Sequence, residues 1–216
     1  MSDQHPGNHL EQLSDEELFR RHTLKYNTRN RLAQRLLNSF FRSVGRCIQV
    51  APPAGSVLEV GCGLGESSQR LVQFMGDRRF EVSEFNPRFV AELQRREFPI
   101  PIRQESVYEL QRSDNSFDCV LLLEVLEHLA DPQQALRELF RVSRDRVIIS
   151  VPHEPLWCLA HLLRGKNITR LGNTPGHINH FTPFSLRRLV SRFGVVEFVS
   201  LPFPWIVLVA RKARVD

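Results

Sequence analysis

The sequence lacks long hydrophobic runs, paired cysteines and internal repeats. Its longest apolar runs, CVLLL and WIVLVA, are far below the ~20 residues that cross a bilayer, and the polar N-terminus has no apolar signal core. None of the cysteines forms a C-x-x-C pair, which disfavours zinc, thioredoxin-type chemistry and a disulfide framework. We therefore predict a cytoplasmic protein with no membrane span and no bound metal. The cysteines are Cys47, Cys62, Cys119 and Cys158.

The bulk composition is that of one globular domain. The chain has 216 residues, of which 42% are hydrophobic and 25% charged. A net charge of +5 and a pI near 9.4 allow an anionic partner such as nucleic acid. The basic residues fall mostly on the polar sides of helical stretches, however, so solvated helix faces are the favoured interpretation. The oligomeric state is not indicated.

Strands and helices alternate along most of the chain. Residues 1–28 are expected to be a mobile segment with a short helix from Ser14, and residues 29–216 a single domain that opens with an amphipathic helix. The βαβα succession that follows predicts a parallel sheet with helices on both faces. The predicted strands are 56–60, 78–85, 100–106, 117–125 and 145–152; the helices between them are 67–75, 87–98 and 131–143.

The C-terminal part departs from this alternation. Residues 153–182 contain no strand signal, apart from one possible short helix at 156–163, and we interpret them as an insertion at the acceptor site. Thr182 and Pro183 then start a helix. Residues 195–201 and 205–212 are strands joined by a short connection, and they are therefore predicted to be antiparallel to each other.

The stretch VLEVGCGLGESSQR carries the strongest functional signal. Gly61, Gly63 and Gly65 follow the first predicted strand and precede a helix, where a ligand can approach the backbone in an open α/β sheet. Glu84 ends the second strand, 19 residues after Gly65. An acid at that distance can accept hydrogen bonds from both ribose hydroxyls. Together these features predict a nucleoside-containing cofactor.

Several motifs, in this order, resemble the class I S-adenosylmethionine-dependent methyltransferases. They are VLEVGCGLG, FEVSEFNP, SFDCVLLLEVLEHLADPQQALRELFRV and VIISVP; the third is similar to the subgroup of quinone-biosynthesis and small-molecule methyltransferases. The resemblance covers roughly residues 57–211. It implies a Rossmann-like doubly wound sheet of seven mostly parallel strands, with an antiparallel C-terminal edge hairpin. It also implies S-adenosylmethionine as the cofactor.

The resemblance assigns a cofactor role to eleven residues. The glycine loop would line the methionine part, with Glu59 beneath it near the amino group, and Glu84 would bind the ribose. The remaining residues would surround the adenine and close the fourth-strand side. Ser106 departs from the family, which often has aspartate there. The eleven are Glu59, Gly61, Cys62, Gly63, Gly65, Glu84, Phe85, Ser106, Val107, Leu123 and Glu124.

The sequence gives fewer indications of the acceptor-binding residues than of the cofactor-binding residues. His128 follows the fourth strand and is our candidate general base, although local hydrogen bonding that orients the loop is an alternative. His177, His180 and Trp157, all in the insertion, are candidate acceptor-binding residues. We expect methyl transfer to a small molecule, at oxygen.

Two alternative functions stay open. One is an RNA or protein methyltransferase; the Asn/Asp-Pro-Pro-Tyr/Phe motif of enzymes that methylate exocyclic base amines is missing after the fourth strand, which disfavours nucleic acid as the substrate. The other is a non-catalytic S-adenosylmethionine-binding module.

Overall fold

The computed structural model describes residues 14–153 and 178–213, apart from 24, 25, 27, 29, 51 and 53. Its seven strands form one sheet with the order β3-β2-β1-β4-β5-β7-β6. The first five strands are mutually parallel, and β7 is antiparallel to both β5 and β6. This confirms the predicted sheet of seven mostly parallel strands with an antiparallel C-terminal hairpin. The strands are β1 (Ser56–Val60), β2 (Arg79–Glu84), β3 (Ile102–Gln104), β4 (Phe117–Leu123), β5 (Ser143–Pro152), β6 (Gly194–Ser200) and β7 (Trp205–Lys212).

The helices start where the sequence provides capping residues. Asn86 accepts a hydrogen bond from the Arg88 N–H, and Asp131 accepts from the N–H groups of Gln133 and Gln134. Thr182 forms a reciprocal capping box with Ser185. The helices are α1 (Asp15–Thr23), α2 (Arg31–Ile48), α3 (Glu66–Leu71), α4 (Pro87–Arg95), α5 (Pro132–Val142) and α6 (Pro183–Val190), with 3₁₀ turns at Val72–Phe74 and Leu126–His128.

Helices cover both faces of the sheet, as the alternation predicts. Helix α2 buries Phe40, Phe41 and Val44 against one face of β1, β4, β5 and β7. Helices α5 and α6 bury Leu136, Leu186 and neighbouring residues against the other face. Within the described ranges, no helix is long and apolar enough to cross a membrane. Cys47, Cys62 and Cys119 are buried free thiols; Cys158 lies outside those ranges.

Several predicted boundaries are wrong by a few residues. Strand β3 is three residues long rather than seven. Strand β4 ends at Leu123 because Glu124 has a left-handed backbone conformation, with φ of 58°. The helix after the glycine loop ends at Leu71 and continues as a 3₁₀ turn. Strand β5 starts two residues early, at Ser143, because α5 ends at Val142.

Candidate functional site

The predicted cofactor residues lie at the carboxyl edge of the parallel strands. Val60, at the end of β1, pairs with Ser83 of β2 on one side and Leu122 of β4 on the other. The sheet order reverses between β1 and β4, which makes this edge the topological switch point where open α/β sheets bind ligands. The glycine loop, Glu84 and Glu124 therefore lie together at this edge.

Glycine is required in the loop for both conformation and space. Gly61 and Gly65 have φ of 76° and 79°, in the left-handed region that side chains disfavour. A Cβ atom on Gly61 would lie 2.8 Å from Val125 Cγ2, and one on Gly65 would lie 2.5 Å from Phe98 Cε2. The loop can thus pack tightly against α4 and the end of β4 only if both positions lack a side chain.

Hydrogen bonds that the loop donates to β2 hold it in place. The backbone N–H groups of Gly61 and Cys62 both donate to the Ser83 carbonyl, at 2.8 and 3.0 Å. The Glu84 carboxylate accepts from the Gly63 N–H through Oε2 and from the Asn86 N–H through Oε1, each at 2.8 Å. Glu84 consequently joins the glycine loop to the start of α4.

Glu84 retains the capacity to bind a ribose. A carboxylate offers about four acceptor positions, and two are used by backbone N–H groups. Burial raises the pKa of Glu84, while the Asn86 and Gly63 N–H groups oppose that shift. The side chain is 9% exposed, so its remaining acceptor positions face a largely dry environment. These properties fit a nucleoside diol.

Glu59 is buried beneath the glycine loop, at the end of β1. Its carboxylate accepts from the hydroxyls of Ser67 and Ser68, at 2.5 and 2.6 Å, and it is 1% exposed. Burial raises its pKa, and the two serine hydroxyls oppose the shift. The role of the two serines was missed in the sequence, although they follow the last glycine of the loop after one intervening residue. They tie the first turn of α3 to β1.

The predicted adenine side lies beyond β2 and β3. Phe85 is 66% exposed, which leaves its ring available to a ligand. The Ser106 hydroxyl accepts from the Tyr108 N–H at 3.2 Å, closing the turn that carries the buried Val107. The adjacent acid, Glu105, is buried and bonded to the Arg112 Nε through both oxygens, so it is not available to an adenine amino group.

On the opposite side, Glu124 joins three strands. Its backbone N–H donates to the Ser150 carbonyl at 3.1 Å. Its carboxylate accepts from the Ser150 hydroxyl at 3.0 Å and from the Trp205 Nε1 at 2.8 Å. The preceding Leu123 is buried. Trp205 and Ser150 are contributors that periodicity alone did not reveal, because they come from β7 and β5.

His128 and His180 come from two segments that meet at the β4 exit. The side chain of His128 is 44% exposed, and its Nε2 lies 3.9 Å from Oε1 of Glu127, which is 1% exposed. The N–H groups of Ile178 and Asn179 both donate to the Glu127 carbonyl at 3.0 Å. The Asn179 amide donates to the Leu129 carbonyl at 2.7 Å.

The exposed His180 directly follows these contacts, so the structure brings this predicted acceptor residue to the turn that carries His128. The other two predicted acceptor residues, Trp157 and His177, lie outside the described ranges and stay predictions.

The N-terminal helix α1 contacts the glycine loop. Leu18 is 4% exposed and packs with Leu64 of the loop and Phe89 of α4. The rings of Phe19 and Phe89 are 5.9 Å apart, and Asp15 pairs with Arg88. The capping-box pattern predicted a helix here, but its packing partners depend on the tertiary fold.

Known protein families and relatives with a similar sequence agree with the function that the motifs predict. Residues 58–151, from β1 through β5, match the profile of a family described as "Methyltransferase domain". The chain is 30% identical over 173 residues to a "Probable S-adenosylmethionine-dependent methyltransferase" of Mycolicibacterium smegmatis, covering 79% of this chain and 53% of that protein. A similarly named Mycobacterium tuberculosis protein is 28% identical over 138 residues, covering 63% and 44%. The chain thus spans about half the length of these curated relatives.

A solved structure has the same fold. The magnesium protoporphyrin IX methyltransferase of Synechocystis, with bound S-adenosylhomocysteine, superimposes with a TM-score of 0.66 at 18% identity, covering 93% of this chain and 95% of the other. The fold is therefore that of the class I methyltransferases. This chain carries an S-adenosylmethionine-dependent methyltransferase domain of that class, as its motifs predicted.

Proposed function

We propose that this chain is an active methyltransferase that methylates a hydroxyl oxygen of a small-molecule acceptor. The observation that carries the proposal is the half-exposed His128 beside the buried Glu127 at the β4 exit. Transfer to a neutral hydroxyl requires a proton to leave the attacking oxygen. A histidine takes up a proton near neutral pH, and an adjacent carboxylate stabilises the imidazolium that results.

The cofactor residues divide the remaining tasks. S-adenosylmethionine supplies an activated methyl group when it is bound. Glu84 would accept hydrogen bonds from its ribose, and Phe85 with the Ser106 turn would contact its adenine. The glycine loop, held by Glu59, Ser67 and Ser68, would position its methionine part. His128 would take the acceptor's proton on its imidazole ring, and His180 would contact the acceptor. A cytoplasmic location stays a prediction.

The experiment is a transfer screen with labelled S-adenosylmethionine against hydroxyl-bearing metabolites, total RNA and bulk protein. We expect label in small molecules only. With an acceptor in hand, His128→Gln should lower kcat by about 10²–10⁴-fold, the usual contribution of a general base. It should leave S-adenosylhomocysteine affinity within about twofold, which corresponds to ~0.4 kcal/mol. The matched variant His180→Gln should mainly raise the acceptor's KM.

Three outcomes would contradict the proposal. Label in RNA or protein alone would overturn the small-molecule acceptor. A His128→Gln variant that keeps more than about a tenth of the parent kcat would remove the base. Tight cofactor binding with no labelled product from any acceptor pool would favour a binding module.

A further inference from the structure

The charges of this chain are separated along its length. Residues 18–58 contain eight of the 29 Lys and Arg and none of the 24 Asp and Glu. The rest of the chain is therefore net negative by three, although the whole carries +5. Charge asymmetry on this scale is typical of proteins with an anionic partner.

Helix α2 concentrates this charge on one line. Arg31, Arg35, Arg42 and Arg46 are all exposed. At 3.6 residues per turn they fall within an arc of about 60° and extend along about 22 Å of the helix. Arg42 and Arg46 donate from Nε to carbonyls one turn earlier. We call these four residues the arginine line.

The arginine line differs from the mixed-charge surfaces of α4 and α5. On α4, Arg95 and Arg96 pair with Glu92, and on α5 Arg141 pairs with Glu138 and Asp114. Within the described ranges, by contrast, none of the four residues of the arginine line pairs with a carboxylate. The solvated faces of α4 and α5 thus carry both signs, whereas α2 carries only one, as does the shorter helix α6 with Arg187 and Arg188.

Exposed apolar side chains flank the line on one side. Leu32 is 58% exposed and lies about 40° around the helix from Arg46. Ser43 lies about 20° further, and its hydroxyl is 3.0 Å from that of Ser200. This contact brings the β6–β7 loop to the Leu32 side of the line. The loop carries two more exposed apolar residues, Leu201 at 56% and Phe203 at 50%.

We propose that the arginine line, with Leu32, Leu201 and Phe203, docks on a lipid bilayer with anionic headgroups. A guanidinium group can donate two parallel hydrogen bonds to two oxygens of one phosphate. The negative surface potential of an anionic leaflet also attracts basic side chains and so strengthens binding to the membrane. Exposed leucine and phenylalanine side chains strengthen the binding by burying apolar area at the boundary between headgroups and acyl chains. Two of the three exposed apolar residues, Leu32 and Leu201, are aliphatic and offer RNA neither stacking nor hydrogen bonds, so the composition of this face favours lipid.

The docking face is continuous with the candidate site. In the β6–β7 loop, the Pro204 carbonyl accepts from the His153 N–H at 2.9 Å, and the next residue, Trp205, donates to Glu124. A docked protein would therefore hold the acceptor side of its site close to the bilayer. This consequence rests on the proposed function, whereas the docking itself does not.

The test is co-sedimentation of the full chain with vesicles of phosphatidylcholine, with and without admixed phosphatidylglycerol. Binding should require phosphatidylglycerol and weaken with salt. Each arginine near an anionic surface contributes about fivefold in affinity, so Arg35→Gln/Arg42→Gln should lose about 30-fold. The matched control is Arg187→Gln/Arg188→Gln, on exposed positions of α6 across the sheet, which should lose less than about twofold. Phe203→Ser should also weaken binding.

Circular dichroism will verify that each variant is folded. Absence of binding to phosphatidylglycerol vesicles would overturn the proposal, as would equal losses in the two double variants. Single-stranded RNA that binds through Arg35 and Arg42 more tightly than vesicles, and is unaffected by Phe203→Ser, would reassign the face to nucleic acid. None of these readouts requires turnover, so they are independent of the acceptor.

Discussion

The most informative single substitution is Glu84→Gln, because it preserves size while removing the charge. The parent carboxylate accepts two backbone N–H groups at 2.8 Å. An amide has only one acceptor oxygen, so its NH₂ group would face one of these donors. Both ribose hydroxyls would lose a charged acceptor. Hydrogen bonds to charged groups contribute about 1.5–3 kcal/mol each, against about 1 for neutral ones.

A net loss of about 2–3 kcal/mol is therefore expected, which raises the Kd for S-adenosylhomocysteine about 30- to 150-fold. Isothermal titration calorimetry measures this directly. The matched control is Asp77→Asn, which makes the same carboxylate-to-amide change at an exposed position before the opposite end of β2. It should leave the Kd within about twofold, or ~0.4 kcal/mol.

A pH series strengthens the test. Burial raises the pKa of Glu84 above its ordinary value of 4.5, and the deprotonated form is the better acceptor. The parent should therefore gain affinity as the pH rises from about that value through the folded-state pKa, and Glu84→Gln should lack this gain. Equal affinity of the folded variant and the parent, at every pH, would refute the ribose assignment.

Three further predictions concern Glu59, Ser106 and Leu18. Burial raises the pKa of Glu59 above 4.5, so the contribution of this group to stability is full below that pH and is lost as the pH rises through the folded-state pKa. In urea titrations above pH 4.5, Glu59→Gln should therefore gain stability relative to the parent. A stability difference that does not change with pH would contradict this. Ser106→Asp should keep or tighten S-adenosylhomocysteine binding by calorimetry, because aspartate can also accept the Tyr108 N–H; a folded variant that no longer binds would show that the alignment of this turn is wrong. Leu18→Ala should expose α1 to limited proteolysis, since loss of a buried leucine side chain costs about 2–5 kcal/mol, whereas the exposed Leu32→Ala should cleave at the parent rate.

The placement of the predicted cofactor residues at one edge of the sheet could be foreseen because its determinants are local. Parallel strands end at one edge, so the residues after β1, β2 and β4 must meet there once the alternation is recognised. Gly61 and Gly65 indicate a tight loop, and Glu84 follows 19 residues after Gly65. Asn86 and Asp131 are recognisable as caps because each precedes a proline and an amphipathic stretch.

The rest depends on contacts that no local pattern encodes. Nothing near Leu18 indicates that it packs on Leu64, 46 residues later. The left-handed backbone at Glu124 interrupts an apolar run that favours a longer strand. Strand β3 pairs with β2 over only three residues, whereas the sequence pattern predicts a strand over 100–106.

The antiparallel strand gives the clearest case of topology shaping the site. Because β7 runs opposite to β5, its first residue, Trp205, pairs with Pro152 at the carboxyl edge of the parallel strands. A parallel strand in the same position would bring its last residue there instead. The Trp205 indole can therefore donate to Glu124, whose left-handed backbone costs about 1–3 kcal/mol. The bonds from Trp205 and Ser150 hold Glu124 in that conformation, and the chain then turns out of the sheet into the Leu126–His128 turn. The edge hairpin thus fixes the direction in which His128 leaves the sheet.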